Sequence, residues 1–191
     1  MTGKTRGNWQ ALTAWLMMTA VSAGGSGVAA APASQRWITY TNEAANLIFE
    51  YPAGIFTEEK GDPTDALQQR TNDRAGRVFA TADGTAILQF GTFPNLDDSS
   101  IDALRKRAIT ASYSDAKIEY NRITDNWYVL SGVRGTDTFY ERVQFSCKGQ
   151  RLDIFALTYP AAQGSLYDEI VDEMARRVRP ILAKVRCPAG Q

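Results

Sequence analysis

Histidine is absent from all 191 residues, and only two cysteines are present. The first absence removes Ser-His-Asp and Cys-His catalysis, His-ligated zinc and the side chain that most readily titrates near neutrality. The two cysteines, Cys147 and Cys187, are too few for a cysteine-rich metal site and too far apart for a CxxC redox pair. No GxGxxG or GxxxxGK[ST] run occurs, so there is no nucleotide-binding fingerprint. No net charge of either sign exists, with 21 basic and 21 acidic residues. The longest basic run, Arg105-Lys106-Arg107, is too short for a nucleic-acid tract and fits the solvated side of a helix. Nothing matches the D-x-D-x-D-G pattern of a calcium loop. The sequence therefore carries no expectation of a metal, a cofactor or a nucleic-acid partner.

Charge is also missing from the beginning of the chain. After Lys4 and Arg6 there is none until Arg36. An apolar stretch from Ala11 to Val21 is followed by small residues, and Val28-Ala29-Ala30, Ala29-Ala30-Ala31 and Ala31-Pro32-Ala33 offer small-x-small cleavage sites. This is the layout of a secretory signal peptide over residues 1–33, cut near Ala31 or Ala33. The uncharged run has the length of an uncleaved anchor. Gly24-Gly25-Ser26-Gly27 interrupts it, however, and large apolar residues are few, which favours cleavage and no stable membrane span afterwards. No cysteine follows the apolar stretch, as a lipoprotein would need. The expected destination is the periplasm or the exterior. In that oxidising setting Cys147 and Cys187 have two open readings, a disulfide or two free thiols.

From residue 34 onward strand patterns dominate. Trp37-Ile38-Thr39-Tyr40 is β-prone, and Leu47, Phe49 and Tyr51 alternate with Ile48 and Glu50. Residues 54–76 are polar, contain Gly61-Asp62-Pro63 and read as a long loop with a helical turn at 64–69. Val78–Ala80 and Ala86–Phe90 form a hairpin about Asp83-Gly84. Ser99 and Asp102 suggest a capping box for a helix of about three turns, with Ile101, Leu104 and Ala108 on one side. Strands then follow around residues 118–120, 126–133, 136–147 and 151–159, joined by short Gly-containing turns at Arg134-Gly135-Thr136 and Lys148-Gly149-Gln150. A last helix starts at Ser165, with Asp168 in its first turn and Leu166, Ile170, Met174 and Val178 on its apolar side, and stops at Pro180. The two copies of Tyr-Pro-Ala, at 51–53 and 159–161, each close an alternating run and read as strand exits, because proline lacks the ladder N–H. The reading is an α+β fold, an antiparallel sheet of about seven or eight strands flanked by helices. It forms a single domain over 34–180, with residues 181–191 as a tail. In this layout the last helix runs back along the sheet, so the tail returns toward Cys147 and a 147–187 bond would clip it there.

Candidate chemistry is sparse. Ser114-Asp115-Ala116-Lys117 matches S-x-x-K, but it leads out of a helix into a strand and lacks companion S-D-N and K-T-G motifs. Glu58-Glu59, Asp97-Asp98 and the acids Asp168, Glu169, Asp172 and Glu173 read as solvated charge. Trp37, Tyr40, Trp127, Tyr128, Phe139 and Tyr140 read first as core or cross-strand residues, with a groove beside loop 54–76 as the alternative. No residue is expected to be catalytic.

The order of motifs resembles a known group. Phe49 to Pro52, then VFATADGTAILQFGTF, a short helix, SGVRGTDTFYERVQFSC, LTYPA and a final helix ending in RP resemble small secreted proteins of alphaproteobacteria. More distantly they are similar to the PsbP-like superfamily, over roughly residues 37–180. The resemblance implies an α/β/α sandwich around an antiparallel sheet and a role in binding protein partners or assisting assembly, without a shared catalytic centre. It carries over no site residue, and the leader departs from the superfamily's cytosolic adaptor branch. The function expected is therefore a non-enzymatic binding or assembly-assisting protein of the cell envelope. The alternatives are a small-ligand carrier or a histidine-free enzyme with a pocket beside loop 54–76.

Overall fold

The computed structural model describes residues 36–43, 45–61, 76–182 and Cys187. The leader, the 62–75 part of the long loop and nearly all of the tail lie outside these residues. Among the described residues, nine strands and two helices follow in the order β1 (Trp37–Asn42), β2 (Leu47–Pro52), β3 (Glu58–Gly61), β4 (Gly76–Ala80), β5 (Ile87–Pro94), α1 (Ile101–Arg107), β6 (Lys117–Ile123), β7 (Trp127–Arg134), β8 (Asp137–Ser146), β9 (Arg151–Pro160) and α2 (Gly164–Leu182). The fold is α+β and every strand pairing is antiparallel.

Among the described residues, seven strands form one sheet in the order β3-β4-β5-β9-β8-β7-β6, while β1 and β2 form a separate two-stranded sheet. The expectation of one sheet including 37–52 is corrected here. The alternation of Leu47, Phe49 and Tyr51 does mark a buried side, but that side lies flat on the large sheet. Phe49 stacks on Phe90 at 4.1 Å between centroids and Tyr51 on Phe79 at 4.7 Å. A strand is also present inside the expected loop: β3 pairs Glu58 with Ala80 and Glu59 with Phe79. Its composition is polar because β3 is an edge strand, where charged side chains discourage further pairing.

Side-chain alternation divides the sheet into two apolar layers. On one side Leu88, Phe90, Phe155 and Leu157 pack beneath β1–β2 and the Tyr167, Ile170, Val171 and Met174 side of α2. On the other, Phe93, Leu130, Phe139 and Val143 pack beneath Ile101 and Leu104 of α1. Helices thus cover both sides of the sheet, with the β1–β2 hairpin sharing the α2 layer. In α2, Leu166 is 44% exposed, so Tyr167 and Val171 take the place expected for it. The helix begins at Gly164 after a 3-10 turn and continues through Pro180 to Leu182. Asp168 therefore lies past the first turn, where it was expected, and accepts the Tyr159 hydroxyl at 2.7 Å. Proline costs a helix one donor and strains the preceding turn without necessarily ending it. Arg177 joins the two parts of this layer, reaching Glu50 at 2.7 Å and Glu173 at 2.8 Å beneath the Trp37 ring.

Local signals explain the remaining boundaries. Asp83 organises the β4–β5 turn by accepting from Thr81 Oγ1 at 2.6 Å and from Thr85 N at 3.1 Å, and Gly84 supplies φ 70°. Both Tyr-Pro steps end their strands as expected: Pro52 lies opposite Trp37 and Pro160 opposite Asp137, each in a terminal register pair. Cys147 and Cys187 are joined by a disulfide with Cα atoms 5.3 Å apart.

Edge strand β6 carries a bulge at Glu119, between the pairs Ile118–Gly132 and Tyr120–Ser131. A Cβ on Gly132 would come within 2.0 Å of the Lys117 carbonyl oxygen. The obstruction is backbone, so a side-chain rotation cannot relieve it. Gly132→Ala is expected to lower stability by about 1–3 kcal/mol, the range of overpacking. It should also deprotect β6 amides in hydrogen exchange before those of β9.

Burial raises the pKa of Tyr51, Tyr140, Tyr159 and Tyr167, and for Tyr159 the hydrogen bond to Asp168 and that carboxylate's charge add to it. The folded phenols hold their protons above the pH at which the unfolded chain releases them. Their contribution is complete below the unfolded value of about 10 and is lost as pH rises through it toward the folded values. Thermal unfolding measured upward from pH 9 should show a fall in Tm beginning near pH 10. The Tyr159→Phe variant should show a shallower one.

Candidate functional site

The site lies under α1. Ser100 caps this helix by accepting from Ala103 N at 3.2 Å, one residue beyond the capping box expected at Ser99. Asp102 is occupied instead by Arg105 and Lys106 at 2.7 and 2.9 Å. Ser99 is held by Asn95, which accepts from Ser99 N at 3.1 Å and donates to the carbonyls of Ser99 and Gly149 at 3.0 and 2.9 Å. One asparagine therefore ties the approach to α1 to the β8–β9 connection. After seven residues the α-helix widens into a π-helical turn at Ala108–Ser112, closed by Tyr113 N donating to the Ala108 carbonyl at 3.0 Å. The expected three-turn helix is thus split between two geometries. Thr110 Oγ1 donates to the carbonyls of Lys106 and Arg107 at 3.1 and 3.3 Å across the junction. Such wide turns are costly and recur at functional sites.

A cavity of about 290 Å³ lies between this helical segment and the sheet. Its inner walls are Phe93, Leu104, Val143, Leu152 and Ile154, with Ala108 and Ala111 above. Asn95, Asp97, Ser99, Arg107 and Ser112 stand at its rim. At the inner end is a carboxylate. Glu141 is 5% exposed and Tyr128 3%. Tyr128 OH donates to Glu141 Oε1 at 2.7 Å, and Tyr113 OH donates to Oε2 at 2.9 Å. Both phenols are themselves held. Tyr113 stacks on Phe139 at 4.1 Å and lies beneath the Arg134 guanidinium, which also pairs with Asp115 at 3.0 Å. Tyr128 is in the second core beside Leu130. The carboxylate is thereby fixed in position, with a hydrogen-bond donor on each oxygen. Burying a charge is costly unless it is hydrogen-bonded, and two charge-assisted O–H donors meet that requirement.

The structure redistributes the residues singled out in the sequence. Of the six aromatics, Tyr128 joins the cavity and Phe139 lies beneath it, while Trp37 and Tyr40 sit on the β1–β2 hairpin. Trp127 lies between Arg122 and Arg142, at 5.4 and 4.8 Å from their guanidinium carbons, and Tyr140 stacks on Phe155. The cavity is built by residues 93–112 and β7–β9, not by 54–76; a pocket beside that loop would fall largely outside the described residues. Asp97 reaches Arg107 at only 3.8 Å, and Glu59 pairs with Arg77 at 3.0 Å, so these acids are surface charge. Lys117 of the S-x-x-K run pairs with Glu119 at 2.7 Å. Among the described residues no group of three acids and cysteines could hold a metal ion. No described helix is long and apolar enough to cross a membrane.

Glu141 was missed by sequence reasoning, which weighed runs of acids instead. Its signal is positional. Phe139, Glu141, Val143 and Phe145 occupy one side of β8, so an acid stands in an otherwise apolar period-two series.

No family model and no curated protein matches the chain. Among solved structures it is similar to cyanobacterial PsbP (CyanoP) from Synechocystis sp. PCC 6803, at 18% identity and a TM-score of 0.49, covering 81% of this chain and 95% of that one. It is also similar to the Ran-binding protein Mog1p from Saccharomyces cerevisiae, at 10% identity and a TM-score of 0.48, covering 75% of this chain and 94% of that one.

Proposed function

We propose that this chain is an exported, non-catalytic binding protein, periplasmic or secreted, that holds a small ligand in the cavity under α1. The observation that carries the reading is the cavity itself, with apolar walls around a buried carboxylate whose orientation is fixed by Tyr113 and Tyr128. Binding sites combine this mostly apolar lining with a few placed polar groups. The Cys147–Cys187 bond and the leader layout, two cations followed by an uncharged stretch, support an oxidising destination. The absence of histidine and the fixing of Glu141 by the Tyr113 and Tyr128 hydroxyls support binding over acid–base chemistry.

Ala108, on the π-helical turn, lines the cavity. Filling the space with Ala108→Phe should raise stability by about 0.5–2 kcal/mol while removing ligand binding. The checks are denaturant unfolding and amide chemical shifts of β8 and β9 on titration with benzene and 2-phenylethanol. The reading fails if no small molecule shifts those amides in the wild-type protein, or if Ala108→Phe still binds.

A second reading, assembly with a protein partner, has its own observation. On edge strand β6, Tyr120 is 47% exposed on the side of the sheet that carries Trp127 and its two arginines. Aromatic and arginine side chains together are enriched where proteins meet.

A further inference from the structure

We infer that the ligand of the cavity is a small primary amine, an ammonium head carried on one ring or a short branched aliphatic body. This inference rests on the binding role assigned to the cavity above and adds its chemical class. Three features lead to it. The first is size: about 290 Å³ is roughly twice the ~150 Å³ cavity that admits benzene, enough for one ring with a short chain. The second is the sign of the inner end. The buried polar groups lining it are the Glu141 carboxylate and the Tyr128 hydroxyl that donates to it. A carboxylate only accepts, so the complementary group is a donor, and against a carboxylate as buried as Glu141 a cationic donor gains most. The third is the gradient from inside to rim. The rim charges are one of each sign, Asp97 and Arg107, whose side chains are 72% and 40% exposed. They do not favour an anion over a cation, and water screens them. Selectivity therefore resides at Glu141. The apolar walls take the body of the ligand, with Phe93, Leu104 and Leu152 on three elements.

The roles of the two phenols follow. Tyr113 and Tyr128 hold the carboxylate plane fixed, so the ligand does not have to order it on binding. They are positioning residues.

The test is a titration of the purified, disulfide-bonded protein at neutral pH with three probes that share a 2-phenylethyl body: 2-phenylethylamine, 2-phenylethanol and 3-phenylpropionate. Calorimetry and β8–β9 amide shifts supply the readouts. The amine should bind at least about tenfold more tightly than the alcohol, the scale of one charge-assisted hydrogen bond. 3-Phenylpropionate should bind more weakly than either. Glu141→Gln should remove the advantage of the amine over the alcohol. Equal affinities for amine and alcohol, or preference for the carboxylate, overturn the amine assignment and leave the cavity as a binding site. Absence of binding by all three overturns both. The ranking in the wild-type protein decides the matter even if Glu141→Gln does not fold.

Discussion

Replacing Phe90 with alanine is expected to lower the unfolding free energy by about 4–5 kcal/mol, at the upper end for a buried aromatic. Phe90 is 2% exposed and forms the centre of an aromatic cluster. Phe49 stacks on it at 4.1 Å, Phe79 at 5.9 Å, Tyr40 meets it edge-on at 5.3 Å, and Tyr51 lies tilted at 6.1 Å. These contacts join β4 and β5 to both strands of the hairpin that covers them. The hairpin shares no backbone ladder with the large sheet, so side-chain packing holds this part of the layer. Loss of the central ring leaves a cavity and also removes favourable aromatic geometry worth about 0.5–1.5 kcal/mol per pair. Against a typical total of about 5–15 kcal/mol, most of the stability margin is at stake. Guanidinium unfolding measures the loss, and exchange of β1 and β2 amides should show the hairpin opening before the sheet does. Phe90→Leu should recover more than half of the deficit. A loss below 2 kcal/mol for the alanine variant would contradict the central role given to this ring.

The second large effect belongs to the disulfide. Cys147 and Cys187 are 40 residues apart in sequence. Closing a loop of that length removes enough unfolded-state entropy to stabilise the fold by about 4 kcal/mol. The Cys147→Ser/Cys187→Ser variant should therefore melt about 10 °C lower than the oxidised protein, using the usual conversion for a domain of this size. Reduction of the wild-type protein should give the same shift. Alkylation of both thiols in unreduced protein would show that the bond had not formed, and a double variant with unchanged Tm would show that it contributes nothing.

Reading the sequence located most strands, because β7, β8, β9 and the β4–β5 hairpin announce themselves by alternation and by Asp83-Gly84 or Gly135 at their turns. It placed the two helices and the two Tyr-Pro strand ends for similarly local reasons. What escaped it was relational. The alternation of Leu47, Phe49 and Tyr51 says that one side is covered, not that the cover is a second sheet. The change from α to π geometry at Ala108 depends on how the segment meets Tyr113 and the sheet, and Ala-Ile-Thr-Ala-Ser has ordinary helical composition. Glu58 and Glu59 are polar enough for a loop, yet β4 offers a free edge that recruits them. Glu141 is the instructive case. A charge in the middle of an apolar series reads as noise until the register brings Tyr128 beside it on β7 and α1 leads Tyr113 over it.

The order of strands has a consequence for how the chain comes together in time. The centre of the large sheet is filled by β9, the last strand to be synthesised, between β5 and β8. Its partner β5 ends at Pro94, whereas β9 begins at Arg151. A chain synthesised from its N-terminus therefore first presents a β3–β5 piece and a β6–β8 meander that still lack the strand between them. Each would be a small sheet with its inner edge open. The two halves become one body only when the final quarter of the sequence arrives. Pairing across such a separation is slow, because the long connection must close before the contacts reward it.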